Sequence, residues 1–255
     1  VYNYSNQSWY NNVLNNCTPS GIQLYSAYDP INKIIYDVVF SGSSEFKVSY
    51  YNFESGECVQ GESYFPTIQL GQQVPYDVVY DTINELLVLS FYHSQGEYIV
   101  TFNYNTNEWN DIVTCSSSGE GNGIKSTFNH NTGMVMIFKY YNNLFTMNQV
   151  DINNETCSNY VNTNIENLYG NGNINYFNVE HDNILYDPLR DKYVWAVSEG
   201  NSIKLISYDG NDFSLITTKN EDFEYDLGWH NLPFFYSSNL DMYLISWPDF
   251  INGNN

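Results

Sequence analysis

The residues of this chain best suited to chemistry are oxygens on short spacings, four cysteines and a few scattered histidines. Asp151, Asn153 and Glu155 alternate along one stretch, and Asp209, Asn211 and Asp212 crowd another. Hard cations take carboxylate and amide oxygens at such spacings, so Ca2+ is the one cofactor to weigh, although neither stretch completes an EF-hand pattern. The same residue types form hairpin turns with no ion bound. Glu120-Gly121-Asn122-Gly123 and Asn171-Gly172-Asn173 precede no helical pattern, which argues against a phosphate cradle. No Ser/His/Asp set stands out in a chain this rich in serine.

Cys17, Cys58, Cys115 and Cys157 are an even number with no Cys-X-X-Cys spacing, which suits disulfides better than zinc. Asn3, Asn6, Asn16 and Asn154 each open an Asn-X-Ser/Thr glycosylation sequon. Together they point to a secreted or cell-surface glycoprotein. The chain begins at Val1 with no apolar leader, so the expectation is a signal segment removed or omitted.

Lys and Arg number 8 against 29 Asp and Glu, a formal charge of −21. Such a surface repels phosphate backbones and anionic lipid, which disfavours nucleic-acid and membrane-surface roles, and it tolerates bound cations or basic partners. No stretch approaches the roughly 18 apolar residues of a spanning helix. With 42% hydrophobic residues, and 18% aromatics of which most are the 25 tyrosines, the 255 residues can bury a substantial core.

The elements that must position these groups are short alternating segments between Gly, Asn and Asp turns, the pattern of consecutive antiparallel strands. An aromatic residue followed by Asp, Asn or Ser leads five times into a turn and a hydrophobic strand: Tyr28-Asp29, Tyr80-Asp81, Phe128-Asn129, Tyr186-Asp187 and Tyr236-Ser237. The copies recur about every 50 residues, the rhythm of a repeated four-stranded unit. Asn52, Tyr104, Asp151 and Asp209 mark a second hairpin 22 or 23 residues after the first marker. The fifth unit lacks that hairpin, but residues 1–9, VYNYSNQSW, match FNYNTNEW of the second.

The repeats resemble the β-propeller superfamily, and the fourth, YDPLRDKYVWAV with SYDG, is similar to a YWTD/NHL-type blade without the YWTD tetrad itself. The resemblance implies an all-β, five-bladed propeller of four-stranded antiparallel blades. One domain then fills residues 1–255, with blades at about 21–68, 74–119, 122–168, 178–222, and 229–255 joined to 1–16. The N-terminal strands close the fifth blade and remove its exposed edges. The alternative, a pair of β-sandwiches, does not keep one period throughout. The cysteines fall where chain leaves successive blades, so the expected bonds are Cys17–Cys58 and Cys115–Cys157, from three possible pairings. Because both chain ends fall within one hairpin, residues 1–16 pairing with a second molecule would give self-assembly.

The resemblance also implies a ligand site where the inner strands begin, around the channel mouth. There the candidates are Gln23, Tyr25, Tyr76, Asp77, Lys125, His181, Asp182, Asn183, Trp229, His230 and Asn231. Tyr25, Tyr76, Asp77, His181, Asp182, Trp229 and His230 form the expected ligand-binding set, with Trp109, Trp195 and Trp247 assigned to the core. Two functions fit. Tyr- and Asn-rich surfaces suit non-catalytic recognition or adhesion, lectin-like or protein-binding, or a place in an extracellular structure. The alternative is a glycoside hydrolase, needing two carboxylates roughly 5–9.5 Å apart, with Asp77, Glu180 and Asp182 the candidates.

Overall fold

A computed structural model describes residues 2–3, 8–9, 17, 23–42, 44–71, 74–93, 96–115, 124–141, 144–164, 184–199, 202–210, 213–220, 234–237 and 241–245. Every regular element among them is a β-strand. β1 (Tyr2–Asn3) pairs with β2 (Ser8–Trp9). The first four-stranded sheet holds β3 (Gln23–Asp29), β4 (Ile34–Phe40), β5 (Phe46–Asn52) and β6 (Cys58–Gln60). The second holds β7 (Tyr76–Asp81), β8 (Leu86–His93), β9 (Gly96–Asn103) and β10 (Glu108–Cys115). The third holds β11 (Ile124–Asn129), β12 (Met134–Tyr141), β13 (Leu144–Asp151) and β14 (Thr156–Asn164). The fourth holds β15 (Ile184–Asp187), β16 (Lys192–Glu199), β17 (Ser202–Tyr208) and β18 (Phe213–Asn220). β19 (Phe234–Ser237) pairs with β20 (Met242–Ile245).

Each four-stranded sheet is an antiparallel meander in sequence order, as the repeat predicts. Among the described residues β1–β2 and β19–β20 are separate two-stranded ladders, not one joined sheet. The segments between β2 and β3, and those after β20, lie almost wholly outside the described residues, so closure of a fifth blade remains a proposal.

The marker residues explain why these segments turn where they do. Asp29 Oδ1 accepts the backbone N–H groups of Ile31 (2.8 Å) and Asn32 (3.0 Å), and Asp81 does the same for Ile83 and Asn84. Asn129 caps Asn131 and Thr132, and Asp187 caps Leu189 and Arg190. These are side-chain-closed turns, which Asp and Asn form because a short acceptor reaches the backbone two and three residues ahead. Each turn ends in a left-handed residue: Lys33 (φ 54), Glu85 (φ 57), Gly133 (φ 72), Asp191 (φ 51) and Asp241 (φ 49). That conformation suits glycine and costs other residues energy.

The chain divides into two compact units, Val1–Ser117 and Ser118–Asn255. In the first, β3 lies beside β7, and the facing surfaces of the first two sheets enclose Ile34, Tyr36, Phe40, Phe46, Leu87, Leu89, Phe91 and Phe102. Each such side chain contributes about 1.5–3 kcal/mol by leaving water. Gly61 fits where a Cβ would stand 2.6 Å from Val48 Cγ1 and 2.9 Å from Phe102 Cζ. In the second unit β11 lies beside β15 and β15 beside β19, with Phe138, Phe145, Tyr193 and Trp195 buried between the third and fourth sheets. First strands side by side, with sheet faces packed against one another, is the arrangement of successive propeller blades.

The last strands of three sheets carry one extra residue each, in β10 between Asp111 and Val113, in β14 opposite Met147/Asn148 and in β18 opposite Leu205/Ile206. Such bulges increase the local twist and blunt an edge. Cys17 and Cys58 are bonded to each other. Cys115 and Cys157 are also in disulfides, and no cysteine is free.

Candidate functional site

The leading ends of the first strands carry the expected site residues that the structure describes. Tyr25 of β3 is half-buried, and its ring meets that of Tyr76 of β7 edge-on, with centroids 4.7 Å apart and planes at 71°. Tyr76 is a core residue. Its hydroxyl donates to the Val38 carbonyl (3.1 Å) and accepts the Phe40 N–H (3.2 Å), and its ring also meets Phe46 at 5.2 Å. Burial pushes the Tyr76 hydroxyl well above the ordinary tyrosine range. Tyr76 therefore holds Tyr25 in place, and Tyr25 is the ring left partly accessible.

Asp77 follows Tyr76 and points to the opposite face of its sheet. It is buried, and its backbone carbonyl accepts the Ser90 hydroxyl at 3.4 Å. Lys125 of β11 is buried in the second unit. Gln23 pairs with Phe40 across the β3–β4 ladder. Glu180, His181, Asp182, Asn183, Trp229, His230 and Asn231 lie outside the described residues, as do Asn6 and Asn16. Asn3 lies in β1. Asn154 is exposed in the β13–β14 turn, with its amide donating to Asp151 Oδ2 at 2.7 Å.

Register gives these positions a meaning that their order in the sequence does not. Tyr25 pairs with Val38, Asp77 with Ser90 and Lys125 with Phe138, so the three hold the same place in the first three sheets. One place thus carries an aromatic ring, a carboxylate and an ammonium. At the other end of the same strands the marker is Asp, Asp, Asn and Asp, all nearly fully buried. Turn chemistry holds one end constant, while nothing in the ladder dictates the side chain at the other.

The buried marker residues have a second role that the sequence reading missed. In the second unit the Asn129 amide donates to the Tyr193 hydroxyl of the next sheet at 2.6 Å, and the Tyr243 hydroxyl of β20 donates to Asp187. In the first unit Tyr80 stacks on Tyr36 with centroids 5.8 Å apart. Burial, and then the neighbouring Asp29 carboxylate, raise its hydroxyl pKa. Arg190 completes one clasp, with Nη1 2.8 Å from Asp187 Oδ2 and Nη2 2.8 Å from Asp241 Oδ2. Burial alone would raise the Asp187 carboxyl. The Tyr243 hydroxyl, the Arg190 guanidinium and the N–H groups of Arg190 and Leu189 outweigh it and hold that carboxyl below the usual range. A tyrosine recurring near each Asp was the available signal, but pairing across sheets is not written in one repeat.

The oxygens weighed for calcium are partly committed. Both Asp151 oxygens accept from Asn154, at 3.0 Å to its N–H and 2.7 Å to its amide. Among the described residues no group of three acidic, histidine or cysteine side chains forms a cation cage, and no helix is long and apolar enough to cross a membrane.

No protein-family model matches the sequence, and no curated protein matches it. Solved structures do. A periplasmic gluconolactonase of Pseudomonas aeruginosa superposes with a TM-score of 0.58 at 7% identity, over 93% of this chain and 68% of that one. A protein from Lactobacillus plantarum gives 0.55 at 11% identity, over 90% and 72%. A lectin in complex with alpha-methyl fucoside gives 0.55 at 9%, over 88% and 69%. These neighbours are β-propeller proteins, and the likeness is one of fold.

Proposed function

We propose that this chain is a secreted or cell-surface five-bladed propeller that recognises an extracellular glycan or protein without catalysis. In this reading the described sheets are four of the blades, and β19–β20 with β1–β2 make the fifth. The observation that carries the reading is the contrast along the inner strands. The buried marker residues at the turn ends are chemically uniform, and the leading ends vary from Tyr25 to Asp77 to Lys125 at one register. A ring held edge-on by a buried neighbour offers an apolar face at little entropic cost. By their sequence offset from the turn markers, His181, Asp182, Trp229 and His230 would fall at the corresponding positions of the later repeats and are proposed as further ligand contacts. Disulfides are in keeping with an oxidising compartment, and N-glycans on Asn3, Asn6, Asn16 or Asn154 would go with it.

The fold hosts both a fucoside-bound lectin and a lactonase among its neighbours, so the reading rests on the site. Glycan-array binding by the intact chain, without hydrolysis of the bound oligosaccharides, is the expected result. Tyr25→Ala should weaken it about tenfold by removing one stacking face. Turnover that disappears in Asp77→Asn or Asp182→Asn would replace recognition with glycoside hydrolysis.

A further inference from the structure

We infer that the turn end of the first unit is a docking surface for a basic protein segment with an apolar face. It lies at the other end of β3 and β7 from Tyr25 and Tyr76, so it stands or falls apart from the recognition site. Four large apolar side chains are exposed there: Tyr28 (51%), Ile31 (52%), Phe53 (38%) and Ile83 (56%). Tyr28 and Phe53 meet edge-on at 6.3 Å, and Phe53 meets Tyr51 at 5.1 Å. The Phe53 N–H donates to the Lys33 carbonyl at 3.0 Å, which draws the β3–β4 and β5–β6 turns together.

The fold does not require apolar residues at these tips. Ile31 and Ile83 hold one position in their turns, where only the backbone N–H is used, by Asp29 and Asp81. Asn131 fills the same position in the third sheet with its N–H on Asn129. Turn tips favour small polar residues. Leu189 repeats the departure in the fourth sheet and is 66% exposed. Apolar groups concentrated at one end of the strands are the signature of an interaction surface, whereas single scattered ones are not.

Charge selects the partner. Glu54, Glu57 and Glu85 are exposed around these side chains, and the neighbouring cation, Lys33, is already ion-paired with Glu54. Its own pKa is raised by Glu54 first, with a smaller contribution from Tyr28. Aromatic faces and carboxylates together attract Lys and Arg side chains, and a chain of net charge −21 favours a basic partner at long range.

The test titrates the full chain with a synthetic amphipathic Lys/Leu peptide and, separately, with oligolysine of equal charge. The surface predicts peptide binding about tenfold tighter than oligolysine. Ile31→Ser with Ile83→Ser should remove that difference while leaving the melting temperature unchanged. Glu54→Gln with Glu85→Gln should weaken the peptide about threefold and flatten its salt dependence. Equal binding of the two probes would reduce the effect to bulk charge and overturn the inference. So would absence of binding, or a dimer of this chain that Ile31→Ser with Ile83→Ser dissolves.

Discussion

A single carboxylate or amide at each marker position closes a turn and, in the clasps, meets a tyrosine of the next sheet. Asp81→Ala leaves the Ile83 and Asn84 N–H groups without their acceptor and should cost about 2–3 kcal/mol in urea unfolding. Asp81→Asn should cost much less, because Asn129 already closes the same turn. The left-handed residues divide in a testable way. Glu85→Gly relieves backbone strain at φ 57 and should stabilise by about 0.5–1 kcal/mol. Asp241→Gly should destabilise instead, because the Asp241 carboxylate accepts from Tyr236 and Arg190 at 2.9 and 2.8 Å. The turn role of these residues was legible in the sequence, since Asp and Asn before a hydrophobic strand have few other uses. The tyrosine contacts were not, because period-two alternation names the face of a strand and not the sheet opposite it.

Between elements, the clasp at Asp187 ties the fourth sheet to β20 and makes that junction sensitive to acid. The folded carboxyl lies below the ordinary aspartate value of 3.8, so its stabilisation is present above that pH and is lost as pH falls through the folded pKa. Thermal stability should be level from about pH 5 to 8 and fall below about pH 4. Asp187→Asn should lower the plateau and flatten the acid limb. The Cys17–Cys58 bond closes a loop of sequence separation 41, worth about 3–4 kcal/mol on the loop-entropy estimate. Non-reducing peptide mapping should recover that pair and, as proposed, Cys115 with Cys157. Sheet boundaries were legible because turn residues punctuate them. The outer-strand bulges were not, since one extra residue in an alternating strand leaves no compositional trace.

At the scale of the molecule, tyrosine supplies the core where leucine or isoleucine would be usual, and this has a cost in base. Tyr36, Tyr64, Tyr76, Tyr80, Tyr186 and Tyr243 all have ionisation raised above the ordinary tyrosine value of 10.0, with burial the first cause. Their contribution is present below that pH and is lost as pH rises through the folded values. Unfolding followed by circular dichroism should therefore begin above about pH 10 and coincide with tyrosinate absorbance. The repeat period made the four-stranded sheets legible from the sequence, whereas of the expected site residues only Gln23, Tyr25, Tyr76, Asp77 and Lys125 fall among the described residues. Ligand chemistry resides in side chains that the repeat leaves unconstrained, so periodicity carries no information about it. The proposed five-bladed ring is tested most directly by a circular permutant that joins Asn255 to Val1 through a short linker and opens the chain between β10 and β11. Ends that share one blade predict a cooperative fold melting within a few degrees of the parent. A permutant that folds only after the linker is lengthened to span the molecule, or that loses cooperative melting while a permutant opened there with unjoined ends keeps it, would contradict the ring.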